Sequence, residues 1–275
     1  MRLLILFTVF SFFSGESQTP ITNNIINPIG KTIETRFNVP VGFTRQDDNS
    51  TAFDNYLRSV LLKPNNSVVY TYNGSVKQPN DVYEAVLDID VGEKDLQQCA
   101  DAVMRLRAEY LFENKLFSKI HFNFTNGKLA EFTNYADGFR YSLKTNTWIK
   151  TAEKDYSHKS FRNYMDLVFN YAGSLSLSRE LKSVANVSDI KPGDVFIKGG
   201  SPGHAVMVID VIKNEKTKEI LFMMAQSYMP AQNIHVLKNF NNKDISPWYS
   251  TAFDGNLKTP EWTFSKNQLM RFNED

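Results

Sequence analysis

The one cysteine and four histidines of this 275-residue chain are its best candidates for nucleophilic and proton-transfer chemistry. Cys99 lies within Glu93 to Leu111, a run of good helix formers, and as a thiolate it would be a strong nucleophile. His204 follows Gly199-Gly200-Ser201-Pro202-Gly203 and opens the apolar run Ala205 to Val211. A glycine-rich turn lets the backbone bend closely while the strand beyond it holds the ring, which suits a general base. Gln226 closes a second apolar run that starts at Leu221. The polar segment Asn214 to Lys218 between the two runs reads as a hairpin loop. If it is centred near Glu215 or Lys216, His204 faces Gln226 or Ser227 across the pair. A glutamine amide there can accept the imidazole N–H and decide which ring nitrogen faces the thiol. Asp210 cannot do this, because six residues along a strand at about 3.3 Å each put it roughly 20 Å from His204.

Each residue also has a plain structural role open to it. Leu96, Cys99, Ala100, Val103, Tyr110 and Leu111 fall close to one helical stripe, and a free cysteine on such a stripe is a common core residue. His204 could be a surface histidine beside a hairpin, and Gln226 could satisfy backbone groups at a strand end. The thiol separates these readings. A paired, partly exposed cysteine should be alkylated in the native state well below its free pKa of about 8.5, whereas a buried one should react only after denaturation.

The elements around these residues follow from periodicity and turn signals. Thr51 to Leu61 reads as a helix, with Phe53, Leu57, Val60 and Leu61 at helical spacing. Phe37 to Phe43, Val68 to Tyr72, Val82 to Val91 and Phe117 to Phe124 read as strands, several of them closed by Asn-Gly or Gly turns. The Cys99 helix is expected from Glu93, whose charge, with that of Asp95, suits the positive end of the helix dipole. Phe161 to Ala172 reads as a further helix, and Ser176 or Ser178 can cap a short one through Val184. Pro192 and Gly193 make a turn before a strand over Val195 to Ile197. The segment Thr133 to Arg140 is aromatic and polar and carries no clear pattern. No repeat or linker divides the chain, so residues 35–275 are expected to form a single α+β domain.

Lys and Arg total 31 against 30 Asp and Glu, a net charge of +1, which argues against nucleic acid and against an anionic membrane surface as partners. Arg2, the apolar run Leu3 to Phe13, and Gly15 and Ser17 have the form of a signal peptide over residues 1–17 cut before Gln18. The run is too short to span a bilayer. Export to a periplasmic or extracellular location is therefore expected, with no stable membrane insertion after signal removal. Residues 18–34, with Pro20 and Pro28, read as a mobile lead-in. Sequons at Asn66, Asn73 and Asn186 matter only in a host that glycosylates secreted proteins. His121, His158 and His235 lack metal-ligand spacing, and the glycine run leads into a strand rather than a phosphate-binding helix, so neither a metal nor another cofactor is expected.

Two resemblances attach to these residues. The helix bearing Cys99, the strand opening Pro192-Gly193-Asp194-Val195-Phe196-Ile197 and the segment Gly203-His204-Ala205-Val206-Met207-Val208 resemble the NlpC-type papain-like cysteine peptidases. In that superfamily a cysteine on a helix, a histidine at the start of a strand and a polar residue on the next strand occur in this order. The resemblance implies a papain-like core, a cysteine-bearing helix packed on an antiparallel sheet, and Cys99, His204 and Gln226 as catalytic residues of a candidate peptidase or amidase. It makes cell-wall peptide the leading substrate class. Gln98-Cys99-Ala100-Asp101 stands where that superfamily has Asp-Cys-Ser-Gly, and the interval from Cys99 to His204 is longer than usual there. Separately, Asp95-Leu-Gln-Gln-Cys-Ala-Asp-Ala, Arg105-Leu-Arg-Ala-Glu-Tyr-Leu111 and Ala225-Gln-Ser-Tyr-Met-Pro-Ala-Gln232 resemble the bacterial domain-of-unknown-function family 4846, which implies no activity by itself. The competing expectation is a non-catalytic envelope protein that binds a peptide or glycan, with Cys99 as a core residue.

Overall fold

The two apolar runs become the long central strands His204–Lys213 and Ile220–Gln226 of an antiparallel sheet. Almost every residue in both is buried, which requires cover on both faces of the sheet. The structure, a computed structural model, describes residues 24–45 and 52–273. From one edge the strands run Tyr83–Val86, His235–Leu237, Ile220–Gln226, His204–Lys213, Val195–Lys198, Leu269–Arg271 and Lys182–Ser183. Two short strands, Thr44–Arg45 and Tyr249–Ser250, pair with the far ends of the central two. The protein is thus α+β, with a large antiparallel sheet and few helices.

One face of the sheet carries the helices Ala52–Ser59, Cys99–Glu113 and His158–Tyr171. Ala102, Val103, Leu57 and Phe161 join Ala205, Met207, Ile209 and Met223 in a single apolar cluster there. The other face is covered by a hairpin of Asn256–Lys258 with Thr263–Ser265. Its Leu257 and Phe264 pack with Phe196, Val206, Val208, Phe222 and Met224.

The central pair does not keep one register. Met223 pairs with Asp210 but Met224 with Val208, so Ile209 is an extra residue in its strand, a β-bulge. Val208 and Val211 both pack on the hairpin side while Ile209 and Ile212 pack on the helix side. Asp210, at the bulge, is fully buried and is bound at 2.8 Å by both Arg45 Nε and Arg58 Nε. Its Oδ1 also accepts the N–H of Val211 at 2.9 Å.

Several local expectations move. The Cys99 helix begins at Cys99 rather than Glu93, because Asp95 is drawn away: its Oδ1 accepts the N–H of Ala231 at 2.7 Å and Gln98 Nε2–H at 3.0 Å. The acidic residue at the helix start is Asp101, whose Oδ2 accepts the N–H of Gln98 at 3.0 Å. Of the expected Val82 to Val91 strand only Tyr83–Val86 joins the sheet as a strand, with one further bridge from Leu87 to Leu62, and Phe117–Lys119 is a 3-10 turn before the strand His121–Asn123. No named strand forms over Phe37 to Phe43; Phe37 makes one bridge, to Ile26. Thr133 to Arg140 spans most of the helix Phe132–Ala136 and the start of the strand Phe139–Ser142.

The expected signal peptide and residues 18–23 lie outside the described residues. Residues 24–34, expected as part of a mobile lead-in, instead pack into the body, because Ile25 and Ile33 are apolar anchors that bury. The N–H of Asn38 there donates to Ile25 O at 2.8 Å. Among the described residues no helix is long and apolar enough to cross a membrane.

Asp210→Ala removes the shared acceptor of two arginines from a buried position. Breaking a buried pair by removing one partner destabilises by about 3–5 kcal/mol, so a loss of this order is expected in urea unfolding monitored by tryptophan fluorescence.

Candidate active site

Cys99 is the first residue of the 15-residue helix Cys99–Glu113, where backbone N–H groups have no partner within the helix. Two contacts to the segment after Gln226 set this end of the helix against the sheet. Ser227 Oγ donates to Gln97 O at 2.8 Å, and Asp95 holds Ala231 as described above. The segment Tyr228 to Gln232 is therefore a docking loop, and its Tyr228 and Met229 also line the cleft in front of Cys99.

That cleft, of about 500 Å³, takes in both Cys99 and His204. The glycine-rich turn lines it. A Cβ on Gly203 would lie 2.3 Å from Gly200 O and 2.4 Å from Ser174 Oγ, so only glycine fits this approach. His204 is the first residue of its strand, paired with Lys198. Ala205, next in line, packs on the helix side. The His204 ring lies against the aromatic rings of Tyr228, Trp262 and Phe264, with centroids 4.9, 5.2 and 5.9 Å away.

Gln226 reaches His204 diagonally. Ala225 pairs with Met207, and continuing that register brings Gln226 level with Val206, one same-face step from His204. The sequence reading placed Gln226 or Ser227 directly opposite, because it centred the turn near Glu215 or Lys216, whereas Ile220 pairs with Lys213 and the turn is centred between Lys216 and Thr217. Gln226 Oε1 lies 2.8 Å from His204 Nε2. The amide nitrogen donates to Glu261 Oε2 at 2.7 Å and lies 3.4 Å from His235 Nε2. Lys77 Nζ donates to the other Glu261 oxygen at 2.6 Å. No hydrogen bond joins the His204 ring to the Cys99 sulfur. Asp210 is committed to its arginines at the far end of the strand.

The family described as "Domain of unknown function (4846)" matches residues 33–271. The chain belongs to that family. Comparison with curated proteins gives no match, and comparison with solved structures gives none either. Its fold and cleft are therefore read from its own residues.

In this member of the family, burial sets the charge states around the cleft. Burial and the nearby Asp101 carboxyl push the Cys99 thiol up; the backbone N–H groups of Ala100, Ala205 and Cys99 pull the other way but less. Burial pushes Asp101 up to about 8 against two backbone hydrogen bonds. Its Oδ1 is buried with no partner. Burial lowers His204 to about 4, although the Gln226 bond favours the proton, and lowers His235 to about 3. Thiol and imidazole are thus both uncharged near neutral pH, without a preformed ion pair. This is the reverse of the depressed thiol expected of a paired cysteine.

Lys77, His235 and Glu261 were not singled out from sequence as site residues. His235 pairs with Gln226 in the strand register, so a hairpin placed over Tyr228 to Asn233 would have found it. Glu261 and Lys77 sit on separate loops, and no spacing signal points to either. Among the described residues, no group of three or more His, Cys, Asp or Glu side chains could hold a metal ion.

Two titrations check these states. The ring resonances of His204 and His235 should hold still in NMR spectra from pH 8 to pH 5, where an ordinary histidine moves near pH 6.5. The unfolded chain then takes up protons that the folded one refuses, so these two residues reduce stability as pH falls below about 6.5. Alkylation of native Cys99 by iodoacetamide should follow a thiol titrating above the free value of about 8.5.

Proposed function

We propose that this chain is an exported, papain-like cysteine hydrolase that cleaves an amide bond, with Cys99 as nucleophile, His204 as general base and Gln226 as the residue that orients the imidazole. The observation that carries the reading is that Cys99, at a helix N-terminus, and His204, at a strand start, open onto one cleft while Gln226 Oε1 sits 2.8 Å from His204 Nε2. The order of these three along the chain, and the packing of the cysteine-bearing helix on an antiparallel sheet, support a papain-like core of the NlpC type. The apolar run near Arg2 supports export to the periplasm or outside the cell.

The chemistry follows from the charge states. With substrate in the cleft, His204 Nδ1 takes the thiol proton as sulfur attacks the carbonyl carbon, so the thiolate forms during attack. The oxyanion is met by backbone N–H groups at the start of the Cys99 helix. His204 then passes the proton to the leaving amine. Water, deprotonated by the same ring, hydrolyses the thioester and restores the thiol. Neither a metal nor a cofactor enters this scheme. Cell-wall peptide is the substrate class favoured by the NlpC resemblance.

One observation favours the second reading, a non-catalytic envelope protein that binds a peptide or glycan. Burial holds the thiol up and the imidazole down, as it does for core groups that never ionise. Substitutions separate the two readings. On the hydrolase reading, Cys99→Ser lowers turnover of bacterial cell-wall peptides by orders of magnitude while the melting temperature stays near that of the parent. Cys99→Ala does the same at a stability cost of about 1 kcal/mol, and Gln226→Ala loses less turnover than either. Unchanged product release by Cys99→Ser would refute the nucleophile assignment. Activity and melting temperature falling in proportion across all three variants would give the site to the binding reading.

A further inference from the structure

The Gln226 amide has one acceptor oxygen and a nitrogen with two donors, and the end that faces His204 decides which ring nitrogen carries the proton. Two neighbours favour the same orientation, the nearer one more strongly. Glu261 Oε2, 2.7 Å from Gln226 Nε2, belongs to a carboxylate, which only accepts. Lys77 Nζ, 2.6 Å from the other oxygen, holds that carboxylate in place, and both side chains are nearly buried. On the other side, His235 Nδ1 lies 2.9 Å from Asn233 O. A carbonyl also only accepts, so Nδ1 carries the His235 proton and Nε2 turns a lone pair toward the Gln226 amide, 3.4 Å away. Both neighbours therefore call for the nitrogen, and the amide oxygen is left facing His204.

We propose that Glu261, together with His235, is a positioning residue: it locks the Gln226 amide so that Oε1 takes the Nε2–H of His204 and Nδ1 remains as the basic nitrogen. Its use in catalysis rests on the hydrolase reading, but the tautomer does not. The adjacent Trp262 packs on the same ring, so the loop between Lys258 and Thr263 both orients the imidazole through Gln226 and covers it. Lys77 makes the lock sensitive to a single atom. In Glu261→Gln the new amide has one acceptor, which the Lys77 ammonium claims, leaving an N–H pointed at Gln226. That N–H sits at the short 2.7 Å contact, whereas His235 holds the amide only through a 3.4 Å one, so Gln226 turns its oxygen to the new side chain and its nitrogen to His204 Nε2, which moves the ring proton to Nδ1.

The test is the His204 tautomer, read from two-bond ¹⁵N–¹H correlations of ¹⁵N-histidine-labelled protein at pH 7. Wild type should show the Nε2–H form. Glu261→Gln should lose it in favour of the Nδ1–H form, and Lys77→Met/Glu261→Gln should regain it, because removing the ammonium frees the new carbonyl to accept from Gln226. An Nδ1–H ring in wild type, or an unchanged ring in Glu261→Gln, overturns the proposal. Should the single variant fail to fold, wild type still decides: both Gln226 side-chain amide protons are hydrogen-bonded and should exchange slowly with D₂O, and exchange at the rate of an exposed amide overturns it. A tautomer that switches in a protein releasing no product from cell-wall peptides upholds the lock while the hydrolase reading fails. Where hydrolysis is measured, kcat of Glu261→Gln should fall about a hundredfold with KM little changed.

Discussion

The direction in which the open end of the sheet faces depends on one extra residue, Ile209, inserted where the strand His204–Lys213 passes its neighbour. Carried without that bulge, the register of the far half of the pair would bring Gln226 level with Met207. The amide would then point to the helix face, away from His204, since a shift of one residue sends a strand's side chains to opposite faces. With the bulge, His204, Val206 and Gln226 share the hairpin face. Asp210, fully buried beside the same irregularity, is met there by Arg45 and Arg58, which compensate a charge that burial alone would make costly.

Around that end the polar groups form a closed chain. Lys77, Glu261, Gln226 and His204 bond in series, with His235 joined from the side. In surroundings of low dielectric such a series is worth keeping only when each member is satisfied, and its one cation and one carboxylate face each other directly. Burial keeps both histidines uncharged near neutral pH. The Cys99 side is held separately. Ser227 and the loop through Ala231 dock the first turn of the helix, so the residues just after Gln226 tie the helix end to the strand that carries the amide.

What was legible in the sequence came from strong, short-range signals. The apolar runs Ala205 to Val211 and Leu221 to Ala225 read as buried strands and the polar run between them as their turn, and all three form. Phe161 to Ala172 carried a helical stripe, and a helix forms there. The start of the Cys99 helix was misread because Glu93 and Asp95 resemble an acidic first turn. Asp95 instead spends its oxygen on Ala231, a residue distant in sequence, and Asp101 serves at the helix start. The lead-in through Glu34 looked mobile from its polarity and prolines, yet Ile25 and Ile33 are enough to anchor residues 24–34 to the core.

Composition and pattern by themselves determined an α+β chain with a deeply buried antiparallel pair, and they marked Cys99, His204 and Gln226 as the residues whose chemistry could combine. These properties rest on side-chain type and spacing over a few residues, which the chain carries into any fold it adopts. The tertiary structure alone decided that Gln226 approaches His204 diagonally, that Glu261 and His235 hold the amide, and that thiol and imidazole rest uncharged. Each of these depends on a bulge, a distant loop or the exclusion of water, and such long-range terms leave no periodic trace in the sequence.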